Sequence, residues 1–165
     1  MSDWYVLQTK PRKEDYVAGQ LSGQDAEIFL PRVVESVRVA GSWQQRVAPM
    51  FPSYLFVRIE VEQRGKKVRY TPGVKDFLRC EGAPEPVSPD IVSMLQDRTG
   101  PAGVYRPPRQ CPQPGSRLRI EEGPFRGMEV IFERELSGAE RVAVLLAEVN
   151  LQARVVLPER SLARL

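Results

Sequence analysis

The chain has 165 residues, 42% apolar and 27% charged, which gives room for one medium domain or two small ones with an ordinary globular profile. It contains no histidine, which excludes Ser-His-Asp and Cys-His catalysis and histidine acid–base chemistry. A net charge of +3 excludes a polyelectrolyte tail, so any nucleic-acid contact must come from local clustering.

In chain order, the first strand is Trp4-Tyr-Val-Leu-Gln-Thr9, rich in aromatic and β-branched residues. Lys13 to Leu21 places Tyr16, Val17, Gln20 and Leu21 at helical spacing, with Gly23 as a stop. Two strand-like runs follow, 27–30 and 33–39; Gly41-Ser42 turns the chain into a hairpin return through Gln44 to Ala48. Tyr54 to Val61 is the clearest strand. Its apolar start predicts burial on both faces, and its later alternation predicts an edge facing water. Another strand is expected over Val74 to Cys80. The last helix of this module is signalled by Ser88 as cap, Pro89 at the first helical position and Asp90 at the positive helix end, with Ile91, Val92, Met94 and Leu95 as its buried stripe. Strands with two helices on one antiparallel sheet define an α+β domain over residues 1–98.

Residues 99–113 are crowded with proline and glycine and read as an extended linker. A second module, 114–165, is near the lower size limit for a domain that folds alone. Leu118 and Ile120 alternate with Arg117, Arg119 and Glu121 as in a strand. Runs over 129–136, 139–149 and 153–157 would supply three more strands and close a small barrel. However, Leu136, Val142, Leu145, Leu146 and Val149 also fall at helical spacing, so 139–149 satisfies both periods.

No phosphate-binding glycine loop or dinucleotide fingerprint is present, and no carboxylate pair stands out as catalytic. Cys80 and Cys111 read as two ordinary thiols. Apolar runs are strand-sized and the N-terminus never builds a signal-peptide core, so a cytoplasmic protein without a membrane role is expected. Two basic clusters do stand out: Lys10, Arg12 and Lys13 after the first strand, and a presumptive loop carrying Arg64, Lys66, Lys67 and Arg69, with Lys75 beyond it. Cations in loops suit salt-dependent contact with phosphates. The apolar segment Met50 to Phe56 is the other candidate: if helices cover one sheet face, some of Phe51, Tyr54 and Phe56 stay available to a partner.

Three motifs carry a resemblance. Trp4-Tyr5-Val6, Phe51-Pro52-x-Tyr54-Leu55-Phe56-Val57 and Thr71-Pro72-Gly73-Val74-x-x-Phe77 resemble the N-terminal domain of NusG-type transcription factors, and Pro114-Gly115 through Gly127 resembles their KOW element. The resemblance implies an N-terminal antiparallel sheet with flanking helices plus a small KOW/SH3-like β-barrel. It implies a monomeric, cofactor-free and non-enzymatic elongation and antitermination factor. RNA polymerase would be gripped at the clamp helices of its largest subunit, through Phe51, Tyr54, Phe56 and Leu95, with Leu7 as a further contact. Lys10, Arg12, Lys13, Arg64, Lys66, Lys67 and Arg69 would lie near the non-template DNA strand. Val149 and Leu151 fall where relatives contact a ribosomal small-subunit protein.

Gly82 to Pro89 and the ambivalent 139–149 segment are similar to the specialised RfaH-like branch, in which the C-terminal domain can instead be an α-helical hairpin. The Ile-Phe-Gly-Arg run typical of housekeeping members is replaced by Val149-Asn-Leu-Gln152, so Rho recruitment is not expected.

Overall fold

The computed structural model describes residues 1–107, 115–119, 126–131 and 136–150, with side chains described through residue 147 in the last stretch. The chain divides into two compact units, Met1–Arg106 and Pro107–Leu165.

Unit one opens with β1 (Asp3–Thr9), α1 (Glu14–Ser22), β2 (Glu27–Phe29), β3 (Arg32–Val39), β4 (Ser42–Pro49) and β5 (Tyr54–Ile59). Then come α2 (Val61–Arg69), β6 (Val74–Phe77), β7 (Arg79–Cys80), β8 (Ala83–Pro84), β9 (Pro86–Val87), α3 (Pro89–Thr99) and β10 (Val104–Tyr105). The main sheet runs β2-β5-β1-β6 with β9 also paired to β1, and all its pairings are antiparallel. A second sheet has the order β10-β3-β4, and β7 and β8 form a small hairpin.

Because side chains alternate along a strand, register assigns each main-sheet residue to a face. Leu7 pairs with Leu55 and Phe77, and Tyr5 with Val57. These residues share a core with Val17 and Leu21 of α1 and Val68 of α2. Val6 pairs with Phe56 and Trp4 with Val87, pointing the other way. On that side the Phe56 ring meets Phe29 at 5.9 Å and Phe51 at 6.1 Å. α3 packs against β1, and its buried Val92 and Leu95 lie outside the helix-side cluster.

Several expectations change. β5 is flanked by β2 and β1, so it is an interior strand and not an edge; only Arg58 is exposed along it. It ends at Ile59, and Val61 already belongs to α2. The basic stretch expected as a loop is therefore helical. Only Val61 and Val68 supply apolar anchors there, and Gly65 lowers helix propensity, so the stripe was too sparse to register. Lys66, Lys67 and Arg69 fall in the last turn, where the helix dipole favours cations.

In α3, Ser88 accepts a hydrogen bond from the Asp90 N–H, as expected of a cap. Its buried stripe is Val92, Leu95 and Thr99, while Met94 is exposed and Ile91 half-buried. The start of the expected linker is folded: Thr99 closes α3, and Val104–Tyr105 pairs in parallel with β3. The Thr99 hydroxyl donates to the Leu95 carbonyl.

In unit two, β11 (Arg117–Arg119) and β12 (Glu129–Ile131) pair antiparallel, and α4 spans Gly138–Asn150. The strand expected over 139–149 in the barrel reading is thus a helix. Its start carries a capping box: the Glu140 N–H donates to the Ser137 hydroxyl, and the Glu140 carboxylate accepts from the Ser137 N–H at 2.8 Å. Ile120, residues 132–135, the expected strand over 153–157, and Cys111 lie outside the described residues. Among the described residues no helix is long and apolar enough to cross a membrane.

Candidate functional site

The loop after β1 organises one end of the main sheet. The Thr9 N–H donates to the Ser53 carbonyl at 2.8 Å, and the Lys10 N–H donates to the Gly73 carbonyl at 2.8 Å. The first bond reaches the apolar segment before β5, and the second reaches the turn before β6. Two sequence candidates about twenty residues apart are thereby brought to either side of the Lys10–Lys13 loop.

On the apolar side, Phe51-Pro-Ser-Tyr54 is a tight turn in which the Tyr54 N–H donates to the Phe51 carbonyl at 3.0 Å. Proline at the second position and positive φ at the third, 68° at Ser53, match a type II turn. The carboxylate of Glu14 is buried and accepts the Ser53 N–H at 2.7 Å, which pins this strained residue to α1. Tyr54 is half-buried, and burial pushes its phenol pKa up, so the hydroxyl remains a hydrogen-bond donor at neutral pH. Phe51 and Leu95 retain 8% exposure each.

Two expected contacts are corrected here. Leu7 is fully buried on the helix side, in the core with Val17 and Leu21. Phe56 is 1% exposed, roofed by Phe29 and Phe51. Both support the surface from below and do not present a side chain to a partner. Period-two alternation assigns Leu7 to the opposite face from Tyr54, since Tyr54 pairs with Gln8.

On the basic side, Lys10, Arg69, Thr71, Gly73 and Lys75 help line an open groove of about 340 Å³ around Tyr70. The Thr71 hydroxyl donates to the Lys67 carbonyl at 3.0 Å, closing the end of α2. Gly73 then turns with φ +91°; a Cβ there would stand 2.9 Å from a Val17 methyl and 3.2 Å from the Tyr16 ring. Only glycine fits a backbone so close to α1, which explains the Thr-Pro-Gly-Val sequence.

Lys66 and Lys67 are exposed on α2, and Arg12 and Lys13 are exposed on the loop. Arg12 has φ 62°, and the Lys13 ammonium lies 5.5 Å from the Tyr16 ring centroid. Arg69 pairs with Asp76 at 3.3 Å. The hydrogen bond from Arg79, above all, holds the Asp76 carboxyl pKa below its usual value.

Arg64 departs from the group. Its guanidinium donates to the Gln24 carbonyl at 2.6 Å and lies 3.6 Å from Asp25, tying α2 to the turn after α1. It acts as a clamp between the two elements, with its side chain still 42% exposed. Two residues beside the basic run, not assigned a contact from the sequence, line the groove: Tyr70, 77% exposed, and Lys75. An aromatic immediately after a basic helix end was the available signal. Val149 lies in α4, with its side chain outside the described residues, and Leu151 lies outside them altogether.

The loop after β1 thus joins an apolar segment, of which Tyr54 is half-buried and Phe51 buried, to an exposed basic groove on an α+β domain. The comparisons place the chain in a family. The family described as "Transcription termination factor nusG" matches residues 2–96, and the chain belongs to the NusG family. Transcription termination/antitermination protein NusG of Pasteurella multocida is 29% identical over 133 residues, covering 74% of this chain and 73% of the relative. The proteins of the same description from Thermus thermophilus and Escherichia coli are each 26% identical, covering 74% and 79% of this chain and 77% and 78% of theirs. A solved structure titled "Domain interaction in Thermotoga maritima NusG" is 19% identical with TM-score 0.48, over 81% of this chain and 80% of that one. Proteins of this family are non-enzymatic transcription factors that work with RNA polymerase, and the role of this chain is accordingly in transcription elongation and antitermination.

Proposed function

We propose that this chain binds RNA polymerase through the apolar surface at Phe51, Tyr54 and Leu95, gripping the coiled-coil clamp helices of the largest subunit. In that position the basic surface of Lys10, Arg12, Lys13, Lys66, Lys67 and Arg69 faces the non-template DNA strand. The bound factor suppresses pausing and lets polymerase read through terminators, in the manner of the RfaH-like branch, in the cytoplasm and as a monomer. The C-terminal unit adds a contact to a ribosomal small-subunit protein at Val149 and Leu151, which this reading favours over Rho as its partner.

One observation carries the reading: the paired hydrogen bonds from Thr9 to Ser53 and from Lys10 to Gly73, which fix the apolar turn and the basic groove to one loop. This shared loop supports the reading that a polymerase seated on the first brings its DNA near the second. Steering by exposed cations should make the DNA contact salt-dependent.

The test is transcription in vitro on a template with a known pause and a Rho-dependent terminator, alongside capture of polymerase by the immobilised chain. Faster pause escape and read-through are expected, and Phe51→Ala should weaken polymerase capture. Unchanged capture by a folded Phe51→Ala protein sinks the docking assignment. Stronger Rho-dependent termination would instead identify a housekeeping factor that recruits Rho.

A further inference from the structure

The groove between α2 and the β1 loop has a feature that attraction to phosphate alone does not require. Its lining includes three cations, Lys10, Arg69 and Lys75, and no carboxylate. Asp76, the acid next in sequence, is engaged with Arg69 and Arg79. Among the cations stands Tyr70, 77% exposed in the full chain. A tyrosine ring carries a large apolar area and is normally at least partly withdrawn from water.

The backbone at Tyr70 is fixed, because its N–H donates to the Lys66 carbonyl at 3.1 Å to close α2. The Arg69 guanidinium lies 6.0 Å from the ring centroid, a cation–π contact that steadies the ring. With that contact made, the ring still has most of its surface in solvent. An exposed, backbone-anchored aromatic beside Lys10 and Lys75, with Arg69 shared between the ring and Asp76, is the combination that binds single strands: the ring stacks on a base while cations track the backbone.

We infer that Tyr70 is a stacking platform for one unpaired base of single-stranded DNA, with the flanking phosphates on Lys10, Arg69 and Lys75. The inference rests on the non-template-strand reading above and gives that contact a defined residue. Duplex DNA satisfies the cations but offers no free base face to the ring. Stacking tolerates any base, so the platform supplies affinity and register without reading a sequence.

The experiment is fluorescence anisotropy at low salt with the full chain. The probes are a short fluorescein-labelled single-stranded DNA, the RNA of the same sequence, and the corresponding DNA duplex. Tyr70→Leu should weaken single-stranded DNA binding by about 5- to 150-fold, the range for loss of one base–aromatic stack, and leave duplex binding unchanged. Tyr70→Phe and Tyr70→Trp should retain wild-type affinity. Lys75→Gln should weaken single-strand and duplex binding alike and flatten the salt dependence by roughly 0.7 in log–log slope for single strands.

Wild-type affinity in Tyr70→Leu overturns the platform, as does equal loss on single strand and duplex, or no binding of single-stranded DNA by the wild-type chain. Tighter binding of the RNA overturns the assignment to DNA. Polymerase capture by Tyr70→Leu should match wild type. A wild-type chain that binds the oligonucleotide but fails to capture polymerase refutes the docking proposal while the stacking platform stands.

Discussion

The two faces of the main sheet are built from the same strands and have opposite characters. On the helix side, Leu7, Leu55, Val57 and Ile59 meet Val17, Leu21 and Val68 in a mostly aliphatic core, sealed by two short helices. On the other side lie Trp4, Val6 and Phe56, with the Phe56 ring against Phe29 and Phe51, and the row ends at half-buried Tyr54. Aliphatic side chains interdigitate tightly and leave nothing for a partner. Aromatic rings bury a large area each, and Tyr54 at the end of this row adds a polar tip that remains half-exposed. A candidate interface is therefore distinguished less by how apolar a segment is than by which face each alternate residue takes.

The largest expected effect tests that division. Leu7→Ala should destabilise the N-terminal unit by about 2–5 kcal/mol, since it opens a cavity in a fully buried site. Denaturant unfolding measures the loss. Polymerase capture per folded molecule should be unchanged. A folded Leu7→Ala protein that selectively loses polymerase would erase the distinction between the faces.

Next in size is Gly73→Ala, which challenges the helix side from its rim. The substitution puts a side chain at φ +91°, 2.9 Å from Val17, and strain of this kind costs on the order of 1–3 kcal/mol. Because the Lys10 N–H bonds to the Gly73 carbonyl, the groove should distort with the turn. A lowered unfolding midpoint with weaker oligonucleotide binding is expected. An unperturbed protein would show that α1 yields there at little cost.

Local chemistry made some of this legible in the sequence. The Ser88-Pro89-Asp90 start of α3, the aromatic and β-branched β1 and the apolar start of β5 rest on caps and propensities that act within a few residues, and all three elements form. The basic helix α2 was missed because tertiary contacts hold it: Val68 is buried in the core, and Arg64 ties the helix to Gln24 and Asp25. Such contacts leave no periodic trace in nine residues.

In α4, both hydrophobic periods fitted, and the arbiter was a different signal. Ser137-Gly-Ala-Glu140 is a capping box, which favours helix independently of any apolar pattern. At the candidate site, residue type identified the basic and apolar segments. Register decided which side chains emerge, and it moved Leu7 and Phe56 inward. Tyr70 alone, as the one aromatic beside the basic run, supports base stacking only weakly in the sequence; the Thr71–Gly73 turn, which brings Lys10 and Lys75 into one groove with it, is what the sequence does not display.

The smallest expected effect sharpens the contrast at the sheet's edge. In β6, Phe77 faces the helix side opposite Leu7, while Asp76 is opposite Gln8 on the other face. Asp76 accepts hydrogen bonds from Arg79 at 3.1 Å and pairs with Arg69, and the Arg79 hydrogen bond is the leading cause of its lowered pKa. A carboxyl whose folded-state pKa is depressed contributes stability above its unfolded value, and that stability is lost as pH falls through the folded value. Asp76→Asn should therefore be less stable than wild type at neutral pH. The difference should shrink only below about pH 3.9, the ordinary aspartate value. Solvent screens this pair, because the Asp76 side chain keeps 29% of its exposure, so the neutral-pH loss should be near the small values of surface ion pairs. The same substitution frees Arg69 for phosphate, so oligonucleotide affinity should rise modestly while stability falls. Stability and affinity moving together would mean that Asp76 orders the groove rather than restraining its cation, and urea titrations across acid pH paired with anisotropy distinguish the two.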